Sequence, residues 1–246
     1  MNELCLIIPA YNEARRLKWD AIQAFVQHHP DVYLLFVDDG STDGTSDSVR
    51  QHFGTMPKIG LLSCPKNEGK ASAVRQGMLY AIEQIPALNY GYADADLSTP
   101  LEELVRLNNL LMHDSSKKMI FGSRILTAGS DIVRKSYRHY IGRIVATCIS
   151  WQLGLAIYDT QCGAKIVRRD VVEPLFKESF ITPWLFDVEV FNRLIRLLGH
   201  EEALASIKEI PLQTWVDVAG SKIGWKEAFT TPIDLIRIAW HYRRKA

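Results

Sequence analysis

Residues 32–45 read VYLLFVDDGSTDGT, an apolar run that ends in two aspartates and a glycine-rich turn. A short, continuous apolar run bounded by turn residues is typical of a strand that is buried on both faces of a sheet. Asp38 and Asp39 therefore stand where a buried strand ends, and the residues that follow are strong turn formers. This stretch predicts a parallel sheet with polar groups at its carboxyl edge.

The alternation of apolar strand and amphipathic helix continues on both sides of that stretch. Strands are predicted over residues 4–8, 32–37, 59–63, 89–93, 119–122 and 207–216. Helices are predicted over residues 15–28, 45–53, 70–84, 138–153 and 187–198, with others opening at Pro100 and Pro232. Such alternation indicates an α/β fold, a mostly parallel, Rossmann-like central sheet flanked by helices.

Length and composition fit one globular domain with a short appendage. The chain has 246 residues, of which 47% are hydrophobic and 23% are charged. Its formal net charge is +1, so no basic field favours nucleic acid as a partner. No G-x-G-x-x-G sequence follows the first strand, which disfavours a dinucleotide site.

The cysteines and the apolar stretches indicate the cellular compartment of the protein. Cys5, Cys64, Cys148 and Cys162 show no C-x-x-C spacing, and dispersed cysteines of this kind fit a reducing compartment. The longest charge-free stretch, residues 144–158, is shorter than the roughly 18–20 apolar residues of a spanning helix. We therefore expect a cytoplasmic protein whose membrane contact, if any, is peripheral and at the inner face.

Polar clusters follow three of the predicted strands, at residues 9–13, 38–41 and 94–96. In open α/β sheets, ligands bind beyond the carboxyl ends of the strands. Asp94 and Asp96 are carboxylates one residue apart, and hard divalent cations such as Mg²⁺ prefer oxygen ligands together with substrate phosphates. The alternative for this pair is a loop that caps the next helix.

Two further positions in these loops are candidates for nucleotide binding. Asp39 follows the second strand, where an acid can bind ribose hydroxyls or a base edge; the alternative is a simple Asx-turn. Lys70 follows Gly69 at the start of a helix, where phosphate is attracted. The alternative for Lys70 is an ordinary loop lysine.

Several charged residues in the second half are candidates for acceptor chemistry. A basic stretch contains Arg124, Arg134, Lys135, Arg138 and Arg143, and arginine suits bidentate phosphate binding. Such a stretch also fits a solvated helix face. Asp159 is a candidate base or a structural turn acid, and Asp187 either has a role in the site or favours the start of its helix through the helix dipole.

Taken together, the motifs resemble family 2 glycosyltransferases of the GT-A fold. The resemblance is carried by residues 7–13 (IIPAYNE), 37–44 (VDDGSTDG), 67–70 (NEGK), 94–98 (DADLS) and 122–124 (GSR), in that order. Residues 159–165 (DTQCGAK) are similar to the dolichyl-phosphate and polyprenyl-phosphate glucosyltransferase branch. Residues 184–189 and 220–222 also look family-like, so the resemblance spans about residues 4 to 224.

The resemblance implies roles for individual residues. Pro9, Tyr11, Glu13 and Asp39 would hold the nucleotide of a nucleotide-sugar donor. Asp94 and Asp96 would hold Mg²⁺ or Mn²⁺ on the diphosphate, and Arg124, Arg134 and Lys222 would contact donor or acceptor phosphates. The family inverts the anomeric centre, and UDP-glucose is the preferred donor, with GDP-mannose as the alternative.

A polyprenyl phosphate is the preferred acceptor, because a phosphate monoester is largely ionised at neutral pH and attacks without a strong base. A hydroxyl on a soluble or cell-wall acceptor is the alternative, and it needs a positioned general base. Asp159 is then the first candidate base and Asp187 the second.

The C-terminal segment is predicted to be an appendage. We divide the chain into a glycosyltransferase domain over residues 1–224 and an amphipathic basic helix over residues 225–246. Its residues that would suit a membrane interface are apolar Trp225, Phe229, Ile233, Ile236 and Trp240 and the terminal basic Arg243, Arg244 and Lys245. The alternative is an ordinary helix packed on the core with a solvated basic end.

Two other functional classes are disfavoured. Nucleotidyltransferases usually carry a glycine-rich loop with arginine and lysine after the first strand, and residues 9–13 (PAYNE) lack one. A non-catalytic nucleotide-sugar binding module would not need Asp94 and Asp96 together.

Overall fold

A mixed sheet forms the centre of the computed structural model, which describes residues 1–133, 136–217 and 225–244. The strands are β1 (Asn2–Ala10), β2 (Val32–Asp38), β3 (Ile59–Ser63), β4 (Ala87–Tyr92), β5 (Met119–Ser123), β6 (Asp131–Val133), β7 (Lys165–Arg168), β8 (Ile207–Pro211) and β9 (Thr214–Val216). The main sheet has the order β3-β2-β1-β4-β7-β5-β8, and β6 pairs with β9 in a small second sheet.

Helices cover both faces of the main sheet. They are α1 (Trp19–His28), α2 (Thr45–Phe53), α3 (Lys70–Gln84), α4 (Leu101–His113), α5 (Ser136–Leu153), α6 (Arg169–Phe176), α7 (Phe186–Leu198), α8 (His200–Ser206) and α9 (Trp225–Arg244). Apolar side chains of α1, α2 and α4 fill one core layer. Those of α3, α5, α6, α7 and α9 fill the other. The α/β class with a mostly parallel, helix-flanked sheet and a C-terminal helix is confirmed.

Close packing of α3 on the sheet requires a glycine. A Cβ at Gly77 would lie 2.7 Å from methyl carbons of both Ile7 and Val37. These two residues lie in the neighbouring strands β1 and β2, so α3 rests directly over the centre of the parallel strands. This contact places Lys70, the first residue of α3, near the carboxyl edge of the sheet.

The register brings the predicted polar clusters to one edge. In the parallel pairing of β1 with β2, Ala10 lies opposite Asp38. In the parallel pairing of β1 with β4, Ile7 lies opposite Tyr92. The loops that follow β1, β2 and β4 therefore leave the sheet side by side, because the three strands are parallel neighbours.

The second half departs from several predictions. Strand β7 was not predicted; it runs antiparallel to β4 and β5, with Tyr92 opposite Lys165. Helices α6 and α8 and strand β6 were also missed. The strand predicted over residues 207–216 is wrong as a single element, because β8 ends at Pro211 and β9 belongs to the other sheet.

The helix boundaries also differ at two places. The helix predicted from residue 15 begins at Trp19, because residues 13–17 form a turn in which the N–H groups of Arg16 and Leu17 donate to the Glu13 carbonyl. Helix α9 begins at Trp225, so the helix start predicted at Pro232 is wrong, and Pro232 lies inside the helix. The division of the chain at residue 224 stays a prediction.

Candidate active site

A cavity of about 390 Å³ opens at the carboxyl edge of the parallel strands. The predicted donor residues that line it are Pro9, Tyr11, Glu13, Asp39, Lys70, Asp94 and Asp96. Arg124 and Asp159 do not line this cavity, and Arg134 and Lys222 lie outside the described residues. The structure thus brings seven predicted residues together, while their individual roles stay predictions.

Hydrogen bonds join the loop after β1 to the loop after β2. The Asn12 N–H donates to Ser41 Oγ, and Asn12 Oδ1 accepts from the Thr42 N–H, both at 2.9 Å. The Glu13 N–H donates to Thr45 Oγ1 at 2.9 Å. Asn12 has a φ of 53°, a left-handed conformation that asparagine tolerates better than most residues. The turn sequence therefore also fixes the position of residues 11–13 beside the cavity.

Asp39 holds the loop that precedes α3. Its two carboxylate oxygens accept from the N–H groups of Glu68 at 2.9 Å and Gly69 at 2.8 Å. Burial raises the pKa of Asp39, and these two donors oppose that shift. Gly69 has a φ of 91°, which favours glycine, and the chain then enters α3 at Lys70. Asp39 thus lines the cavity and also orders the loop that presents Lys70.

Asp94 lies between a lysine and a glycine. Its Oδ1 is 2.5 Å from Lys70 Nζ. Its Oδ2 faces Gly163, where an added Cβ would lie only 2.2 Å away. Burial alone would raise the pKa of Asp94, but the charges of Lys70 and Arg124 outweigh it and hold the pKa below its usual range. The carboxylate therefore stays ionised at neutral pH.

Asp96 completes the carboxylate pair at the cavity. Its Oδ1 accepts from the Ser98 N–H at 2.9 Å, and Leu97 between them has a φ of 52°. Within the described residues, His, Cys, Asp and Glu nowhere gather in a group of three that could hold a metal ion. Mg²⁺ often takes only one or two carboxylates and completes its shell with water and substrate phosphates. Asp94 and Asp96 fit a cation of that kind.

Arg124 and Asp159 form a bidentate ion pair. Arg124 Nε and Nη2 donate to the two Asp159 oxygens at 2.6 and 2.8 Å, and the Arg124 N–H adds a third bond at 3.1 Å. Burial raises the pKa of Asp159, but Arg124 outweighs it and lowers the pKa to about 2. Such a carboxylate is a weak base with both oxygens engaged, so the geometry speaks against the predicted general base at Asp159.

The carboxylate of Asp187, the second candidate base, is also paired with neighbouring side chains. Its Oδ1 is 2.6 Å from Lys165 Nζ and accepts a hydrogen bond from the Tyr92 hydroxyl. The Lys165 side chain is 0% exposed and also donates to the Cys162 carbonyl at 2.7 Å. Asp187 therefore joins β4, β7 and the start of α7, which is a structural role.

The loop before α7 forms another wall of the cavity through Pro183 and Trp184. Glu189 orders this loop, since its Oε1 accepts from the N–H groups of Ile181 and Thr182 at 2.9 and 3.0 Å. Tyr242 of α9 donates to Glu189 Oε2 at 3.3 Å. The C-terminal helix is thereby linked to the wall of the cavity through one buried glutamate.

Sequence reasoning assigned no role to Gly163, Lys165, Arg193 or Tyr242. Arg193 donates to the Tyr242 hydroxyl at 3.0 Å and to three backbone carbonyls in residues 175–179. Gly163 and Lys165 lie in the stretch that carried the family resemblance, which was the available signal. For Arg193 and Tyr242 the sequence offers no local signal, because their partners are distant in the chain.

Replacement of Gly163 by alanine should disable the site without unfolding the protein. The new Cβ would clash with Asp94 Oδ2, and Asp94 would have to turn away. A displacement of about 1 Å in a catalytic group can cost on the order of 10²-fold in rate, so we expect a loss of that size in kcat/KM.

Gly60→Ala is the matched control, because its Cβ would meet the movable end of the Tyr33 side chain, away from the cavity. Thermal unfolding and steady-state kinetics of both variants make the comparison. Wild-type kinetics in Gly163→Ala would contradict this role for Gly163.

The chain is similar in sequence to a known protein family and to named relatives. A family model described as glycosyl transferase family 2 matches residues 5–176. Dolichyl-phosphate beta-glucosyltransferase ALG5D of Trichomonas vaginalis is 30% identical over 96% of this chain and 73% of its own length. Dolichyl-phosphate beta-glucosyltransferase of Dictyostelium discoideum is 29% identical over 97% of this chain and 74% of its own.

Solved structures agree with the fold. Glucosyl-3-phosphoglycerate synthase from Mycobacterium tuberculosis, in complex with Mn²⁺, UDP and glucosyl-3-phosphoglycerate, superposes with a TM-score of 0.70. The match covers 98% of this chain and 80% of that chain at 16% sequence identity. At that identity the likeness concerns the fold alone.

Proposed function

This chain belongs to glycosyl transferase family 2, and from that premise we propose that it transfers glucose from UDP-glucose to a dolichyl-like polyprenyl phosphate with inversion. Support comes from the relatives named dolichyl-phosphate beta-glucosyltransferase, which resemble the chain over nearly its whole length. A β-linked product is what inversion gives from an α-linked nucleotide sugar.

The observation that favours a phosphate acceptor is the state of the two acids predicted as general bases. Asp159 is held by Arg124, and Asp187 is held by Lys165 and Tyr92. A hydroxyl acceptor needs a base to take its proton, whereas a phosphate monoester is already largely ionised at pH 7. Because both carboxylates are already paired, neither is a good base. This fits an acceptor whose attacking oxygen is already ionised.

In the proposed reaction, an acceptor phosphate oxygen bonds to the anomeric carbon as the bond from that carbon to the UDP oxygen breaks. A divalent cation held by Asp94 and Asp96 would neutralise charge on the leaving diphosphate. Tyr11, Glu13 and Asp39 would hold the nucleotide and Lys70 would meet the diphosphate, and all four residues line the cavity. Glu189 orders residues 181 and 182 of the loop that brings Trp184 to the cavity.

The test is an acceptor assay with matched lipids. Purified protein with Mn²⁺ or Mg²⁺ receives radiolabelled UDP-glucose, or separately GDP-mannose, with a short polyprenyl phosphate or the corresponding polyprenol. We expect metal-dependent label in the organic phase only with UDP-glucose and the phosphate. Equal transfer to the polyprenol would overturn the phosphate acceptor, and transfer from GDP-mannose alone would overturn the donor.

We further propose that the outer face of α9 contacts the membrane that holds the acceptor. Within the described residues, none of the helices is both long and apolar enough to cross a bilayer. Helix α9 packs on the core through buried Ile238 and Tyr242, yet Ile233, Ile236 and Trp240 on its other side are 55%, 69% and 60% exposed. Apolar residues at this spacing form one stripe, which suits an interfacial helix.

Replacing Ile236 by aspartate should weaken vesicle binding by about tenfold or more, because burial of one isoleucine contributes about 1.5–3 kcal/mol. Co-sedimentation with anionic phosphatidylserine vesicles measures the change. Leu204→Asp on α8 is the matched control, since Leu204 is also exposed, at 48%. Equal binding by the Ile236 variant and the wild type would exclude this stripe as the contact.

A further inference from the structure

Lys70 and Asp94 form an ion pair inside the cavity. The Nζ–Oδ1 distance is 2.5 Å, and the side chains remain 26% and 34% exposed. Both residues line the cavity, so a small ligand that enters it can reach each of them. The pair is therefore accessible to exchange, unlike the buried pair of Lys165 and Asp187.

The two oxygens of Asp94 have different surroundings. Oδ2 faces the backbone at Gly163, where there is no room for even a methyl group. Oδ1 is in contact with the Lys70 ammonium group. A divalent cation that binds Asp94 from the cavity therefore meets the positive charge of Lys70 on the same carboxylate.

The balance of charge makes the competition between Lys70 and the cation depend on whether the nucleotide-sugar donor is bound. Lys70 and a divalent cation together carry three positive charges, against two negative charges on Asp94 and Asp96. A diphosphate adds negative charge at the same place. Its phosphate oxygens can also pair with the Lys70 ammonium group once the cation has displaced that group from Asp94. Lysine suits such a move because its charge sits on a flexible four-carbon stem. The start of α3, to which Lys70 belongs, also favours phosphate.

We propose that Lys70 is an exchangeable counter-ion of Asp94, which blocks the divalent cation until the cation arrives together with the donor diphosphate. This role rests on the proposed function. Lys70 holds Asp94 in place before the donor binds and then moves to the phosphate oxygens. Metal and nucleotide binding are thereby coupled, and coupling between two sites is typically about 5- to 150-fold in affinity.

The test measures Mn²⁺ binding by electron paramagnetic resonance, with and without UDP, and requires no turnover. We expect UDP to strengthen Mn²⁺ binding to the wild type by about 5- to 150-fold. Lys70→Met should bind Mn²⁺ without UDP more tightly than the wild type, by about tenfold, and should lose most of the UDP enhancement. Lys70→Arg keeps the charge and should bind Mn²⁺ weakly without UDP.

Lys118→Met is the matched control, because Lys118 forms a 2.5 Å pair with Asp170 that does not line the cavity. It should match the wild type under both conditions. Donor-free Mn²⁺ binding by Lys70→Met that is equal to or weaker than wild type would overturn the exchange role. Failure of the wild type to bind Mn²⁺ even with UDP would instead overturn the metal-dependent function itself.

Discussion

Replacement of Asp94 by asparagine is expected to lower kcat/KM for glucose transfer by about 10²- to 10³-fold while the protein stays folded. Asparagine keeps the size of the side chain, so the fit against Gly163 is preserved. It removes the negative charge that would hold the cation on the leaving diphosphate. Loss of one preorganised electrostatic contact to a developing charge typically costs this much in rate.

Stability should change little in this variant, because Asp94 lies at the edge of the sheet with a side chain that is 34% exposed. Asp170→Asn is the matched control, since Asp170 is also 2.5 Å from a lysine but does not line the cavity. Kinetics at saturating Mn²⁺ and thermal unfolding of both variants separate catalysis from folding. If the Asp94 variant retained more than about a tenth of wild-type kcat/KM, Asp94 could not be a principal ligand of the cation.

The parallel half of the sheet was predictable because its signals are local. Apolar runs such as that of β2 end in turn residues, and a parallel sheet places the ends of such runs along one edge. The position of Asp39, Asp94 and Asp96 beside one cavity follows from that geometry without knowledge of any contact. The grouping of these carboxylates at one cavity was therefore predictable from the sequence.

The contacts of Asp159 and Lys165 were not predictable, because their partners are distant in the chain. Strand β7 is only four residues long and includes a lysine and an arginine. A short stretch of this composition is typical of a loop. Its Lys165 becomes buried because Asp187, from a different element, supplies the charge. Likewise, nothing near Asp159 in the sequence shows that Arg124 occupies its carboxylate.

The predicted strand over residues 207–216 was wrong for a local reason. Strand β8 is the edge strand of the main sheet and ends at Pro211, and proline within sheets is confined largely to edge strands and strand ends. The chain then turns at Leu212 and Gln213 before β9 joins the other sheet. This signal was present in the sequence, whereas the partners of Lys165 and Asp159 were not.

Replacement of Lys165 by methionine is expected to lower the free energy of unfolding by about 3–5 kcal/mol, because it leaves the buried Asp187 carboxylate without its counter-ion. The Lys165 side chain is 0% exposed and that of Asp187 6%. Urea unfolding at pH 7 measures the loss. The double variant Lys165→Met/Asp187→Asn should be more stable than the single one, because it removes the stranded charge.

Lys118 and Asp170 provide the comparison that isolates burial. Their separation is 2.5 Å, close to the 2.6 Å of Lys165 and Asp187, but their side chains are 30% and 55% exposed. Exposed ion pairs contribute about 0–1 kcal/mol, so Lys118→Met should change the free energy of unfolding within that range. Equal losses in the two variants would mean that distance rather than desolvation sets the cost. A large loss confined to Lys165→Met would show that the buried charge pair between β7 and the start of α7 depends on both partners, because burial leaves neither charge to water.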